Sequence, residues 1–408
     1  MFTELNLHEK LLHALQKLGF DKPTEVQQKS LPLALAGKDL IVQAATGSGK
    51  TVAFALPVLQ RLLENKGPAQ GTRALILSPT RELARQLARD FTALSRFTGF
   101  HNAVICGGQE FKVQRAFFRK DPEIIVATPG RLLEHIQQQT PLLDQLEVLV
   151  LDEADRLLEM GMLEDVLEIV AHCNPLRQTL LFSATMPPPV KQLAGKIQQA
   201  PEEVLLHNRQ QHVAIRQQYV LADDDRHKEK LLLWLLQNET FQQAVVFTNT
   251  RERANQLCGV LRYRGVKSDF LHGELKQDKR NATLAAFRES RFQVLVASDL
   301  AARGLDIKGI ELVINFDMAR KGDDYVHRIG RTGRAGNNGL AIALIAPEEW
   351  NLKASIERYL AVSMERRSIK AVPGLYKGPG KLKNSGKAVG LRNKGKSKIR
   401  SKNKSGVK

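Results

Sequence analysis

The run Val148-Leu149-Val150-Leu151-Asp152-Glu153-Ala154-Asp155 decides the fold. Four large aliphatic residues without a break suit a strand covered on both faces, the usual condition in a parallel sheet. The acids that follow mark the carboxyl end of that strand, the edge where open α/β sheets bind ligands. Similar apolar runs lie at 39–43, 74–77, 124–127 and 179–182. Helix-period stretches such as 82–94 and 163–172 separate them. Strand and helix in repetition predict an α/β domain wound about a parallel sheet.

The second half repeats the pattern, with strands expected at 244–247, 268–271, 294–297, 312–316 and 339–345. Ser78-Pro79-Thr80-Arg81-Glu82-Leu83-Ala84-Arg85-Gln86-Leu87 lies 170 residues before Thr248-Asn249-Thr250-Arg251-Glu252-Arg253-Ala254-Asn255-Gln256-Leu257. Thr, Arg, Glu, Ala, Gln and Leu coincide, and each segment follows a strand and opens a helix. Cys106-Gly107-Gly108 and Leu271-His272-Gly273 come next in the two halves. The chain therefore reads as two copies of one fold facing a shared ligand. The expected division is 1–206 for the first domain and 207–218 for a polar, Gln-rich hinge. The second domain takes 219–365, and 366–408 forms a basic flexible tail.

Composition agrees with two soluble cores: 408 residues, 43% hydrophobic and 25% charged. No apolar run reaches the roughly 18 residues of a membrane helix. The start Met1-Phe2-Thr3-Glu4-Leu5 lacks the pattern of a signal peptide. A cytoplasmic monomer is expected, with no membrane contact. Cys106, Cys173 and Cys258 are far apart and lack metal-ligand spacing, so reduced thiols and no structural zinc are expected. Net charge is +18, and residues 371–408 hold twelve Lys or Arg and no acid. The first 370 residues hold 49 basic and 43 acidic residues, a balance of only +6. Such a tail cannot fold alone. It suits a flexible arm on nucleic-acid phosphates; a solvated, solubilising tail is the plain alternative.

Ala44-Ala45-Thr46-Gly47-Ser48-Gly49-Lys50-Thr51 follows a strand and precedes the apolar helical stretch 52–63. This is a phosphate-binding loop with Ala at the usual first Gly. Gly47 and Gly49 let successive N–H groups turn toward one anion, and the helix start adds partial positive charge. Lys50 reaches for the outer phosphates of ATP, and the Thr51 hydroxyl suits Mg²⁺. Asp152 would hold that metal through water, Glu153 would deprotonate the attacking water, and Asp155 would bridge to other segments. His327-Arg328-Ile329-Gly330-Arg331-Thr332-Gly333-Arg334 in the second half has three arginines and no phosphate loop of its own. Arginines arriving from a second domain can neutralise charge on a γ-phosphate.

With these motifs in this order, the chain over roughly 1–360 resembles the DEAD-box RNA helicase family of superfamily 2. Asp152 to Asp155 is the tetrad that names it. The resemblance implies two RecA-like α/β domains in tandem and ATP and Mg²⁺ as cofactors. It implies RNA-stimulated ATP hydrolysis that opens short duplexes or remodels ribonucleoprotein. It places Gln27 on the adenine edge, Phe20 against the base, Ala45 to Thr51 on the phosphates and Asp306 on the ribose. Arg331 and Arg334 match the fingers. Asp155, Ser183, Thr185 and His327 match the segments that couple hydrolysis to strand separation. Pro79, Thr80, Arg81, Gly107, Gly108, Thr128 and Arg131 match first-domain RNA contacts. Thr248, Arg251, Gln277, Arg280, Arg303 and Gly304 match second-domain ones. Hydroxyls, arginines and loop N–H groups bind phosphates without reading bases. The early start of the core and the short tail resemble the bacterial branch that assembles ribosomes. Ribosomal precursor particles or ribosomal proteins are then the expected partners. Two competing readings are an ATP-gated RNA clamp that does not unwind and a DNA motor.

Overall fold

The computed structural model describes residues 1–44, 47–65, 71–138, 143–206, 215–273, 275, 277–299, 310–333, 339–383 and 385–388, the side chain of Gln277 excepted. Two seven-stranded parallel sheets carry the chain. The first holds β1 (Leu40–Gln43), β2 (Ala74–Leu77), β3 (Asn102–Ile105), β4 (Ile124–Ala127), β5 (Val148–Leu151), β6 (Gln178–Ser183) and β7 (Glu202–Leu205). Their spatial order is β3-β4-β2-β5-β6-β1-β7. The second holds β8 (Ile215–Leu221), β9 (Ala244–Thr248), β10 (Ser268–Leu271), β11 (Val294–Ser298), β12 (Leu312–Asn315), β13 (Gly339–Ile345) and β14 (Glu365–Arg366). Their order is β10-β11-β9-β12-β13-β8-β14. Shifted by seven strands, the two orders are the same, so the repeat read in the sequence is a repeat of topology.

Each sheet is buried on both faces, as the unbroken apolar runs require. In β5, Val148 and Val150 join one core cluster while Leu149 and Leu151 join another across the sheet. In the second domain Val245 and Phe247 of β9 face one cluster, and Ala244 and Val246 the other. Burying one such aliphatic side chain contributes about 1.5–3 kcal/mol. All strands run parallel. Every strand of a sheet therefore ends on the same edge, and the loops that follow them converge there.

Two expectations are corrected. The hinge expected at 207–218 ends earlier, because Ile215–Gln218 already belong to β8. That strand is polar where it pairs near the sheet edge: Gln218 Nε2 donates to Glu365 of β14 at 3.0 Å. Residues 207–214 lie outside the described residues. Of the tail expected from 366, residues 366–383 and 385–388 lie along the second domain. The Asp223 carboxylate accepts the Leu375 and Tyr376 N–H groups at 2.9 and 2.6 Å. Trp350 Nε1 donates to Gly386 O at 3.0 Å, and Ala388 N donates to Asn351 Oδ1 at 2.9 Å. Ile369 and Ala388 pack on core clusters already built by the domain. The strap borrows an existing core, so its own lack of apolar residues does not decide its state. Residues 389–408 lie outside the described residues.

Candidate nucleotide and nucleic-acid site

The phosphate loop leaves β1 and enters the helix Lys50–Glu64. Gly47 and Gly49 have φ of +82° and +95°, the left-handed region where a side chain is strained. A Cβ on Gly49 would also meet Gln27 Nε2 at 2.6 Å. Gln27 caps its own helix by accepting the Thr24 N–H at 2.9 Å, and its amide donates to Gly49 O at 2.9 Å. The residue expected on adenine thus also braces the back of the loop. Phe20 keeps an exposed ring. Lys50 is buried and donates to Ala44 O at 3.1 Å. Thr51 follows it in the first helical turn.

Two strands away, β5 delivers Asp152 and Glu153 to the same edge. At about 4.8 Å per strand this spans roughly 10 Å. Asp152 Oδ1 accepts the Glu153 N–H at 2.9 Å. Burial pushes the Asp152 carboxyl up to about 6, against the pull of Lys50 and with the push of Glu153. Glu153 sits at φ +51°, ψ 52°, a conformation a non-glycine residue rarely holds. Its Oε2 is buried without a hydrogen bond; Arg156 Nη1 stands 3.8 Å away. Asp152 feels the charge of Lys50, and Thr51 brings a hydroxyl in the same helical turn as that lysine; a carboxylate and a hydroxyl are oxygen ligands. A hard divalent cation fits that set.

Asp155 ties this segment to β6. Its N–H donates to Ser183 Oγ at 3.1 Å, and its Oδ2 accepts the Thr185 N–H and hydroxyl at 3.0 and 2.8 Å. Of the four residues expected to couple, Ser183 and Thr185 are therefore both joined to Asp155, while His327 lies in the second domain.

The segments after β2 and β9 repeat one geometry. Ser78 Oγ donates to Thr80 O at 3.2 Å, and Thr80 Oγ1 accepts the Leu83 N–H at 3.3 Å. Thr248 Oγ1 donates to Thr250 O at 3.1 Å, and Thr250 Oγ1 accepts the Arg253 N–H at 3.2 Å. Pro79 lies inside the first of these turns, and Thr128 is the N-cap of the helix Pro129–Ile136. The Arg81 guanidinium lies against Gly107, where a Cβ would meet Nη2 at 2.7 Å. Gly108 holds φ +87°. Arg131 Nη2 donates to Gln109 O at 3.2 Å, and Arg251 Nε pairs with Glu252 at 2.5 Å. These groups follow the carboxyl ends of β2, β3 and β4 in the first domain and of β9 in the second.

Arg280, expected on RNA, bridges the domains in this structure. Its Nε lies 2.6 Å from Glu82 Oε1, both largely buried. Lys321 Nζ lies 3.6 Å from Glu159 on the other side. Burial raises the Asp323 carboxyl, and Asp155 and Glu159 of the first domain raise it further. His327 and Arg331 are both buried, and Arg331 Nε donates to His327 O at 3.1 Å. Ala45, Thr46, Arg303, Gly304, Asp306, Arg334 and the Gln277 side chain lie outside the described residues.

Sequence reasoning missed Arg328. It is 1% exposed and donates to both Asp299 oxygens at 2.5 and 2.7 Å. It also reaches Asn315 Oδ1, Asp317 O and Asn249 Oδ1 at 3.1, 2.6 and 2.8 Å. It holds the ends of β9, β11 and β12 at one spacing. The available signal was a polar residue at or just past the end of each of those strands: Asn249, Asp299 and Asn315.

Residues 24–193 match the family described as DEAD/DEAH box helicase, and residues 227–336 match the helicase conserved C-terminal domain. The chain is 40% identical over 365 residues to the DEAD-box ATP-dependent RNA helicase CshA of Geobacillus kaustophilus, covering 90% of this chain and 78% of that one. Among solved structures it is similar to S. cerevisiae Dbp5 bound to RNA and ADP BeF3. That match has TM-score 0.82 and 31% identity, over 90% of this chain and 95% of that chain. Against a Dbp5 variant bound to Nup159, Gle1, IP6 and ADP the TM-score is 0.64 at 29% identity, over 90% and 96%. The overall similarity is higher to the first of these.

Proposed function

The chain belongs to the DEAD-box ATP-dependent RNA helicases, and we propose that ATP and RNA together draw its two domains into the arrangement described above. The observation that carries this is the pair of ion contacts across the cleft, Arg280 to Glu82 and Lys321 to Glu159. On this reading the Gly47–Thr51 amides and Lys50 hold the ATP phosphates. Magnesium, when bound, neutralises phosphate charge; Thr51 and Asp152 are the residues that would hold it. Glu153 accepts the proton of the attacking water. Arg331 and Arg334 stabilise the charge on the transferred phosphoryl group from the far side of the cleft.

RNA lies along the polar edges formed by Thr80, Arg81, Gly107, Gly108, Thr128 and Arg131, and by Thr248 and Arg251. Contacts to phosphates alone leave the core indifferent to base sequence. Asp155 with Ser183 and Thr185 passes the state of the ATP site toward the second domain. Hydrolysis is therefore RNA-stimulated and duplex opening local. The monomer is the working unit. Ribosomal precursor RNA is the proposed substrate, on a resemblance in sequence alone.

Glu153→Gln tests the chemistry. The variant should bind ATP and RNA together and release phosphate at least about a hundredfold more slowly. Near-normal release would remove Glu153 from the role of base. Duplex displacement measured beside ATPase separates a helicase from a clamp, which would bind without displacement. Deleting 389–408 should flatten the salt dependence of RNA binding by about 0.7 in log–log slope per lost contact. An unchanged slope returns that segment to a solvated role.

A further inference from the structure

Two of the segments assigned to RNA phosphates leave neighbouring strands. The Gly107–Gln109 turn follows β3, and Thr128–Arg131 follows β4. A buried polar pair lies between them. Gln114, in the helix Phe111–Phe118, and His135, in the helix Pro129–Ile136, are both fully buried. The Gln114 amide nitrogen donates to Cys106 O at 2.6 Å and to the Gln109 side-chain oxygen at 3.4 Å. Its oxygen faces His135 Nε2 at 3.1 Å. The His135 ring is stacked on Phe111 with centroids 3.9 Å apart, and Phe118 meets it edge-on at 5.1 Å. Arg131 closes the group, reaching Gln109 O at 3.2 Å with its guanidinium over the Phe111 ring.

The orientation of this pair is determined chemically. The Gln114 nitrogen is committed to two oxygens, so its own oxygen must accept from His135. His135 must then carry its proton on Nε2. The ring nitrogen Nδ1 is left buried without a partner. An apolar pair of the same size would avoid that desolvation penalty. What an apolar pair cannot do is fix the Cys106 carbonyl, the group immediately before Gly107. Moving that carbonyl would also move Arg81, which packs on Gly107.

We propose that Gln114 and His135 are positioning residues: they hold the Gly107–Gln109 turn at a set distance from Thr128–Arg131, so that both phosphate contacts are prearranged before RNA binds. The inference rests on the RNA reading of those two segments. Prearrangement lowers the ordering cost of binding and leaves the chemical step unchanged.

The test is steady-state ATPase of the full chain against single-stranded RNA concentration. His135→Phe keeps the stack on Phe111 and removes the hydrogen bond; Gln114→Leu removes it from the other side. Each should raise the RNA concentration for half-stimulation by about tenfold, with kcat at saturating RNA and KM for ATP within about twofold. His135→Gln, which returns an amide nitrogen near the Nε2 position, should restore half-stimulation to within about twofold of the native chain. If Gln114→Leu does not fold, His135→Phe decides. Unchanged half-stimulation in His135→Phe, while Arg131→Ala raises it, overturns the positioning role and leaves the RNA reading standing. A lowered thermal midpoint with unchanged half-stimulation overturns it equally, as a merely structural contact. No change in His135→Phe or Arg131→Ala sinks the RNA reading of 128–131, and the inference with it.

Discussion

The two domains place a buried lysine at the same point and use it in opposite ways. Lys50 follows Gln43, the end of β1, by seven residues, and Lys228 follows Leu221, the end of the matching strand β8, by the same seven. Lys50 donates to a single backbone oxygen and stands near Asp152, whose carboxyl still lies well above its ordinary range. Lys228 is closed off by its own domain. Its Nζ meets Glu349 Oε2 at 2.5 Å and Phe316 O at 2.8 Å, over the Phe316 ring. Glu349 in turn accepts the Met318 and Ala346 N–H groups at 2.9 and 3.0 Å. One fold thus makes either a ligand site or a structural lock. The difference lies in whether the acid that answers the lysine is already paired within the chain.

The sharpest way to break this comparison is to change both lysines to methionine. Lys50→Met should lower kcat by about 10²–10³ and move the unfolding free energy by less than about 1 kcal/mol. Lys228→Met should destabilise the second domain by about 3–5 kcal/mol, because Glu349 is left buried without the lysine that balances its charge. Adding Glu349→Leu to Lys228→Met should recover much of that loss. Urea unfolding with ATPase on the same samples reads both effects. If Lys228→Met proves harmless, the lock is not structural.

A smaller effect is expected where the domains meet. Glu82→Gln and Arg280→Gln should each weaken RNA-stimulated ATPase, and together less than additively. The coupling should be about 1–3 kcal/mol with ATP and RNA present and near zero in their absence. Coupling of equal size in both conditions would mean that the pair does not report closure.

The smallest effect is one of pH. Burial, then Arg131, holds the His135 imidazole down at about 4, against 6.5 when unfolded. Between these values the unfolded chain binds a proton that the folded chain refuses. Stability from this residue is therefore complete above pH 6.5 and lost as pH falls toward 4. The difference in urea midpoint between the native chain and His135→Phe should be flat above pH 6.5 and shift against the native chain below it. A flat difference down to pH 4 would show that His135 is charged in the fold.

The strands that sequence reasoning located lie inside the sheets, except β10, an edge strand it also found. Val148–Leu151 and Ala74–Leu77 are completely buried. Four strands escaped it: β3, β7, β8 and β14. Three of these are sheet edges and β8 adjoins one. An edge strand is paired on one side only and tolerates exposed residues, so Glu202 and Glu203 in β7 carry no apolar signal. The strap formed by 366–383 and 385–388 escaped for a related reason, since its stability comes from contacts on a domain already folded.

What the sequence determined by itself is local. The phosphate loop, the threonine caps of Thr80 and Thr250, and the acids ending β5 are each specified within about ten residues. Glycine φ, cap chemistry and strand ends act over that range. The tertiary structure decided the long-range pairs: Lys228 with Glu349, Arg280 with Glu82, Arg328 with Asp299, and Gln114 with His135. A charge or amide in a sequence has no fixed value until burial removes its water and packing names its partner.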